Sequence, residues 1–353
     1  MRGLVLITLC ASLLLIGMIS SQSFGTSNDH PYILEWGGYD TSELGKFYLP
    51  QQIAVDDERN IYVADTGNSR IQKFTSDGQF LTDWSMPDQS PVGIAVYENN
   101  VYVVEKYTVQ KFDNDGNFIL KWGGGGNEDG QFYAPQGITI DSNGIVYVAD
   151  SKNHRIQIFT SDGEFLSSFG KYGYQDAQLR IPVDVAVYED FIYVSDAGNY
   201  KIAKYTPDGI FLKSFEYAGG SGIKPGGLIA DPNGNIYFVD PLNHRVVKMD
   251  SDGKTLASIG DVGRGNGNFV EPKDIVIDNR GYIFVLDSTM NLIQKFQTPI
   301  VTEIEEALAE EQFRKLQELS YAEETDESET DESETELAEE VSTPKEPVIP
   351  DTT

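Results

Sequence analysis

The stretch PQGITIDSNGIVYVADSKNHRIQIFTSDGEFLSSFG, Pro135 to Gly170, is the clearest of six copies of one pattern. Its equivalents open at Pro50, Pro91, Pro182, Pro225 and Pro272, at intervals of 41 to 47 residues. A recurrence of this length marks a stacked or ring-shaped repeat architecture and governs how every other motif is read. The apolar run GITI suits a strand covered on both faces. The turn DSNG leads into a second strand, IVYVAD, and the segment D-x-x-N-x-R turns into a third, RIQIF. Asp162-Gly163 then supplies the positive backbone angles of a tight hairpin before a fourth strand, EFLSSFG. The same pair recurs at Asp77-Gly78, Asp115-Gly116, Asp208-Gly209 and Asp252-Gly253. Four antiparallel strands per unit make a propeller blade, so six units predict an all-β, six-bladed β-propeller.

The sixth copy stops after its third strand, LIQKF, at Phe296. YILEWG, Tyr32 to Gly37, has the fourth-strand register of FILKWG but precedes the first full unit. The N-terminal strand is therefore expected to complete the sixth blade, closing the ring and removing an exposed sheet edge. The propeller is expected to span residues 31–299.

The succession G-x-F-x-x-P, apolar-A-V-D, V-A-D-x-x-N-x-R-I-Q-x-F and D-G resembles the NHL repeat family over nearly all of residues 31–299. The Trp-Asp dipeptide of another propeller repeat is absent, and the Gly-Gly pairs lie between blades, unlike those of kelch repeats. The resemblance implies a six-bladed propeller and, for function, a scaffold, an RNA reader or in some members an enzyme. One such enzyme is the propeller lyase that completes peptide amidation with zinc. Its zinc-binding histidines directly follow the proline that opens an innermost strand. The matching channel-mouth positions here are Gln51, Val92, Gln136, Val183, Gly226 and Lys273, none of them histidine. Some six-bladed lactonases and esterases instead hold calcium in the channel through carboxylates and amides. Asp184 and Asp274 open the inner strands of blades four and six and are the candidate acids for such an ion. Gln51 and Gln136 are the further oxygen donors, and the set falls short of the six to eight oxygens calcium takes. No cofactor is expected, with calcium as the alternative.

Residues 1–23 read as a secretory signal, with Arg2 at its start, an almost wholly apolar run from Leu4 to Ile19, and Ser21-Gln22-Ser23 for cleavage. An uncleaved anchor is the alternative, although this run is shorter than the roughly 20 residues that span a bilayer. The only cysteine, Cys10, lies in this segment, so the mature chain is expected to stand without disulfides. After Pro299 the composition changes, and residues 300–353 hold 19 acidic and 3 basic side chains. Thr302 and Glu305 have capping-box spacing, so 300–321 read as a short helix or linker. Residues 322–353, with the run EETDESETDESETELAEE, are too polar to bury a core and read as a disordered acidic tail. Residues 30–299 themselves hold 36 acidic and 22 basic residues. Such a surface repels phosphate backbones and anionic lipids, so neither nucleic acid nor an anionic membrane is an expected partner.

The long inter-blade loops and the second-to-third hairpins are expected on one face, where variable loops gather around the channel. That face offers Tyr39, Tyr48, Tyr133, Tyr172 and Tyr174, a composition suited to protein or carbohydrate contact. His154 and His244 share one hairpin slot in different blades and are too far apart to build a zinc site. The strings DNDGN and DSDG resemble calcium loops, but their recurrence at one hairpin makes them turns. Asp65, Asp150, Asp196 and Asp240 end second strands, and five residues later stand Arg70, Arg155, Lys201 and Arg245. These read as partly exposed ion pairs. Glu105 and Asp287 lack the equivalent cation, which suggests a patch of unpaired carboxylates beside Tyr39 and Tyr48, fit for a cationic partner segment.

The sequence therefore predicts an exported, monomeric propeller, secreted or held at the cell surface, that binds a protein or carbohydrate without catalysis. The alternative is a channel-based, calcium-dependent hydrolase or lactonase, or a lyase-like propeller enzyme. A structural role in a cell-envelope layer is a third reading.

Overall fold

Each repeat forms a four-stranded antiparallel sheet in the computed structural model, which describes residues 30–86, 90–215, 223–299 and 314–315. The expected signal at 1–23 and tail at 322–353 lie outside the described residues. Of the expected helix at 300–321 only Arg314 and Lys315 are described, and both are helical. The strands of each blade follow chain order, except in the sixth. There Tyr32–Gly37 lies against Leu292–Phe296, pairing Trp36 with Ile293 and Gly37 with Leu292. The Gln297 N–H donates to the Pro31 carbonyl at 2.9 Å and the Gly38 N–H to the Asn291 carbonyl at 2.6 Å, so the junction is bonded at both ends. The predicted closure is the observed one.

The core is divided among the six junctions between neighbouring blades. Blades one and two, for example, share Tyr62, Ala64, Ile71, Ile94, Val101 and Phe112. This follows from strand position. Second strands such as Ile61–Asp65 and Val146–Asp150 are covered on both faces and buried at every residue. The outer strand Phe165–Phe169 carries solvent on one side and is half-exposed.

The Asp-Gly turns have a packing role that the sequence did not reveal. Gly78 has φ +78°, and Trp36 from the preceding blade lies so close that an added Cβ would meet its ring at 2.8 Å. Gly116 and Gly163 face Trp84 and Trp122 in the same way. Each turn glycine thus both permits the hairpin and seats the outer-strand aromatic of the neighbouring blade.

The hairpin acids correct an expectation. Asp65, Asp150, Asp196 and Asp240 are fully buried, not partly exposed. Asp65 accepts hydrogen bonds from Arg70 Nε at 2.8 Å, Asn68 Nδ2 at 2.9 Å, Gln72 Nε2 at 3.0 Å and the Tyr48 backbone N–H at 2.8 Å. Asp150 repeats the arrangement with Arg155, Asn153, Gln157 and the Tyr133 N–H. Each carboxylate ties its hairpin to the loop that enters its blade. Burial raises the pKa of Asp150, and that of Asp196 to about 6, against the lowering effect of these donors.

Candidate functional site at the channel mouth

Position two after each opening proline sets the channel floor. Three blades place glycine there, Gly93, Gly137 and Gly227, and three place a polar side chain, Gln52, Asp184 and Asp274. Gln52 Oε1 accepts from the Ile94 N–H, Asp184 Oδ2 from the Leu228 N–H, and Asp274 Oδ2 from the Ile53 N–H, each at 2.8 Å. Each side chain therefore binds the inner strand of the next blade. Gln52 Nε2 also donates to Asp184 Oδ1 at 3.2 Å, linking blade one to blade four across the channel. The glycines are required. An added Cβ at Gly137 would collide with the Asp184 carboxylate, and one at Gly227 with that of Asp274.

Gln52, Asp184 and Asp274 line two cavities. One, of about 910 Å³, opens among the second-to-third hairpins and the segments entering the blades; the other, of about 260 Å³, lies along the inner strands. The three side chains form a polar constriction between them. Asp184 and Asp274 are 4% and 3% exposed, with the ionised form of each disfavoured by removal from water. That desolvation, with Asp274 as a like-charged neighbour, raises the Asp184 pKa well above the carboxylate range. Desolvation carries Asp274 up to about 7, against the lowering effects of its amide bonds and Lys273.

All six positions that follow an opening proline, Gln51, Val92, Gln136, Val183, Gly226 and Lys273, line the larger cavity. Sequence reasoning missed the other residues of its wall: Gln52 beside the noticed Gln51, and Lys106, Arg180, Tyr200, Lys224 and Glu271 from loops of unequal length. Their only signal was adjacency to an opening proline or a hairpin. Burial pushes the Lys273 pKa down, while Glu271 raises it and Lys224 lowers it further.

The proposed carboxylate patch is not formed. Glu105 and Asp287 are 1% and 0% exposed. Glu105 accepts from Thr108 Oγ1 at 2.9 Å and lies 3.7 Å from Lys121 Nζ. Asp287 accepts from the backbone N–H groups of Val270, Glu271 and Met290. Backbone amides and a lysine of the fourth strand replace the missing hairpin cation, so neither of these two carboxylates is presented beside Tyr39 and Tyr48. Tyr39 is 65% exposed and meets Tyr48 edge-on, with ring centres 5.5 Å apart. Tyr133, Tyr172 and Tyr174 are also exposed. The loops holding Tyr39 and Tyr172 share a form, each tip bridging in parallel to a buried anchor, Phe47 or Leu179.

His154 Nδ1 accepts from the Ile181 N–H at 3.1 Å, and His244 Nδ1 lies 2.8 Å from the Val270 carbonyl, so both histidines fasten loops of the following blades. Asp113 and Asp250 accept backbone N–H groups two and four residues on, which makes DNDGN and DSDG closed turns. Among the described residues no three His, Cys, Asp or Glu side chains converge as a metal site.

Residues 47–74 and 132–159 match the NHL repeat family, and residues 223–337 match a family described as a 6-bladed beta-propeller. The probable peptidyl-alpha-hydroxyglycine alpha-amidating lyase of Caenorhabditis elegans is 32% identical over 80 residues, 22% of this chain and 23% of that relative's length. A gluconolactonase from Xanthomonas campestris shares the fold at TM-score 0.58 and 15% identity, over 79% of this chain and 100% of that one. Virginiamycin B lyase from Staphylococcus aureus does so at TM-score 0.53 and 16% identity, over 70% of this chain and 94% of that one. Likeness at that identity establishes architecture and leaves the chemistry to the site. From its closed ring of blades the chain is a six-bladed β-propeller, and two of its repeats match the NHL repeat.

Proposed function

We propose that the protein is an exported, non-catalytic binding module whose ligand enters the channel mouth. The observation that carries this reading is the use made of the polar groups on the channel floor. Asp184 and Asp274 each hold a backbone amide of the next blade, and Gln52 holds both Ile94 and Asp184. Groups committed to blade register shape a floor. Above them, Pro135, Ile181, Val183 and Tyr200 give the 910 Å³ cavity apolar contact area for a small molecule. The exposed tyrosines of the surrounding loops extend the surface for a larger partner. Export is supported by the apolar run from Leu4 to Ile19. N-terminal sequencing of the protein from its native compartment tests it, since an intact residue 1 in the mature chain excludes cleavage.

One observation favours an enzyme instead. A carboxyl group with a pKa of about 7 facing a cavity is matched to general acid work at neutral pH. The two readings separate when a bound ligand is recovered after long incubation. The binding module returns it unchanged, and metal analysis after desalting finds no stoichiometric calcium. Turnover abolished by Asp274→Asn, or one calcium per chain, would overturn the non-catalytic reading.

A further inference from the structure

The larger cavity differs in charge from the molecule around it. Residues 30–299 have a formal net charge of −14, yet four cations line the mouth: Lys106, Arg180, Lys224 and Lys273. Among the described residues Glu271 is the one acid on the wall besides the two floor carboxyls, and it accepts a hydrogen bond from Thr289 Oγ1 at 2.6 Å. Elsewhere in residues 30–299 ten of the 18 other cations form salt bridges, among them Arg70, Lys73, Lys111, Arg155, Lys213 and Lys295. The four cations of the mouth come from different parts of the ring and form no salt bridge with any described residue. Arg180 donates through Nη1 to the Gly198 carbonyl at 3.2 Å and stacks over Tyr174, and Lys106 lies over the Tyr107 ring. These contacts orient the two cations without neutralising them.

We infer that the channel mouth binds a small organic anion, a carboxylate- or phosphate-bearing molecule, through Lys106, Arg180, Lys224 and Lys273. This rests on the channel-mouth reading above and adds the chemistry of the ligand. Lys273 is half-buried with Glu271 and Lys224 near it, and a bound anion would add to the attraction of Glu271 and offset the desolvation and the repulsion of Lys224 that disfavour its charge. The negative charge of the remaining surface is screened beyond about 8 Å at physiological salt, whereas partly desolvated cations at a cavity wall act at contact range. A charged end can therefore sit on the lysines while the body of the ligand meets Val92, Ile181 and Val183. The floor suits this occupant. A constriction in which burial disfavours the charge of both carboxyls repels an anion less than solvated, ionised aspartates would.

Calorimetric titration of the full chain would use benzoate, glucuronate and glucose 6-phosphate. Each is paired with an uncharged counterpart, benzyl alcohol or glucose. At least one anion should bind with one-to-one stoichiometry and about tenfold more tightly than its neutral partner, a difference of about 1.4 kcal/mol. The double variant Lys224→Gln/Lys273→Gln should lose most of that preference, and Lys224→Arg/Lys273→Arg should keep it. Lys152→Gln/Lys254→Gln, away from the cavity wall, should change nothing. Unfolding curves for each variant separate loss of binding from loss of fold. Neutral and charged members that bind equally well, unaffected by the lysine variants, would overturn the anion and leave the mouth as the ligand site. An anion preference that is unchanged in Lys224→Gln/Lys273→Gln, or no binding of any anion at about 10 mM, would also overturn it. A ligand whose binding responds only to Tyr39→Ala or Tyr172→Ala would remove the channel-mouth reading itself.

Discussion

Two sets of buried carboxyls, one in the hairpins and one on the channel floor, solve the same problem in opposite ways. Asp65 and Asp150 each receive an arginine, an asparagine, a glutamine and a backbone amide. Asp184 and Asp274 receive amide donors and stand close enough to disfavour each other's charge. A buried charge that is paired and fully hydrogen-bonded can be kept by the fold, while buried acids with a like-charged neighbour lower stability at the pH where both ionise. The hairpin acids serve the architecture and recur with the repeat. The floor acids appear in two blades of six and face a cavity, which is where a fold accommodates groups for reasons other than its own stability.

The largest effect that sharpens this contrast should come from emptying a hairpin. Asp65→Ala leaves the buried Arg70 guanidinium with only Asp83 at 4.0 Å, strands the Tyr48 amide and removes one of the two acceptors of the Gln72 amide. Breaking a buried pair from one side costs about 3–5 kcal/mol, so the unfolding midpoint in urea should fall sharply. A loss below about 1 kcal/mol would mean that the pair acts as an exposed one.

A smaller loss is expected at Asp287, which fills the same role without a cation. Asp287→Asn presents an amide group toward the donors of Val270, Glu271 and Met290, and one of its two acceptor positions becomes a donor. No stranded charge results, so destabilisation of about 1–3 kcal/mol is expected from a poorly satisfied buried group. Chemical denaturation compares the two hairpins directly. A greater loss in Asp287→Asn than in Asp65→Ala would break the distinction between charge-paired and amide-paired acids.

On the floor the sign reverses. The folded-state pKa of Asp274 is about 7, above its ordinary value. Below the carboxylate range both folded and unfolded states hold the proton and the group is neutral in its effect. As pH rises, the unfolded chain loses the proton first, so stability falls until about pH 7 and stays low above it. Asp274→Asn keeps an acceptor for the Ile53 amide and removes the titration. Stability at pH 8 should rise by up to about 4 kcal/mol, while at pH 4 variant and parent should nearly agree. Equal pH slopes for the two proteins between pH 5 and 8 would assign the titration elsewhere.

How far the sequence could be read follows the same division. Blade count, strand order and ring closure were legible because turns and apolar runs recur at a fixed spacing. Asp184 and Asp274 stood out as departures from glycine at one repeat position. Gln52, at that same position, was passed over for Gln51, since only the fold distinguishes a side chain pointing down the axis from one on the rim. Lys106, Arg180 and Lys224 sit at different offsets in loops of unequal length, and no linear pattern joins them. Burial was the other blind spot. Glu105 and Asp287 were recognised as lacking a hairpin cation, but the amides and the lysine that replace it come from other strands and loops.

Glu105 provides the smallest and most discriminating test. Its carboxylate is buried, yet its partners are one hydroxyl, Thr108, and Lys121, which is 41% exposed at 3.7 Å. Glu105→Gln keeps the shape and an acceptor for Thr108 and gives up only the contact with Lys121. A pair with one solvated partner at that distance contributes about 0–1 kcal/mol, further reduced by salt. The expected change in unfolding free energy is therefore below about 1 kcal/mol, and it should shrink as sodium chloride is raised from low to physiological strength. Removal of Lys121 by Lys121→Met strands the buried Glu105 carboxylate and should cost more than Glu105→Gln, while the double variant should cost about the same as Glu105→Gln alone, because the lysine has no charge left to pair with once the acid is neutral. Losses that add fully would show that Glu105 is held by something other than Lys121, and blade two would then stand with the strongly paired hairpins.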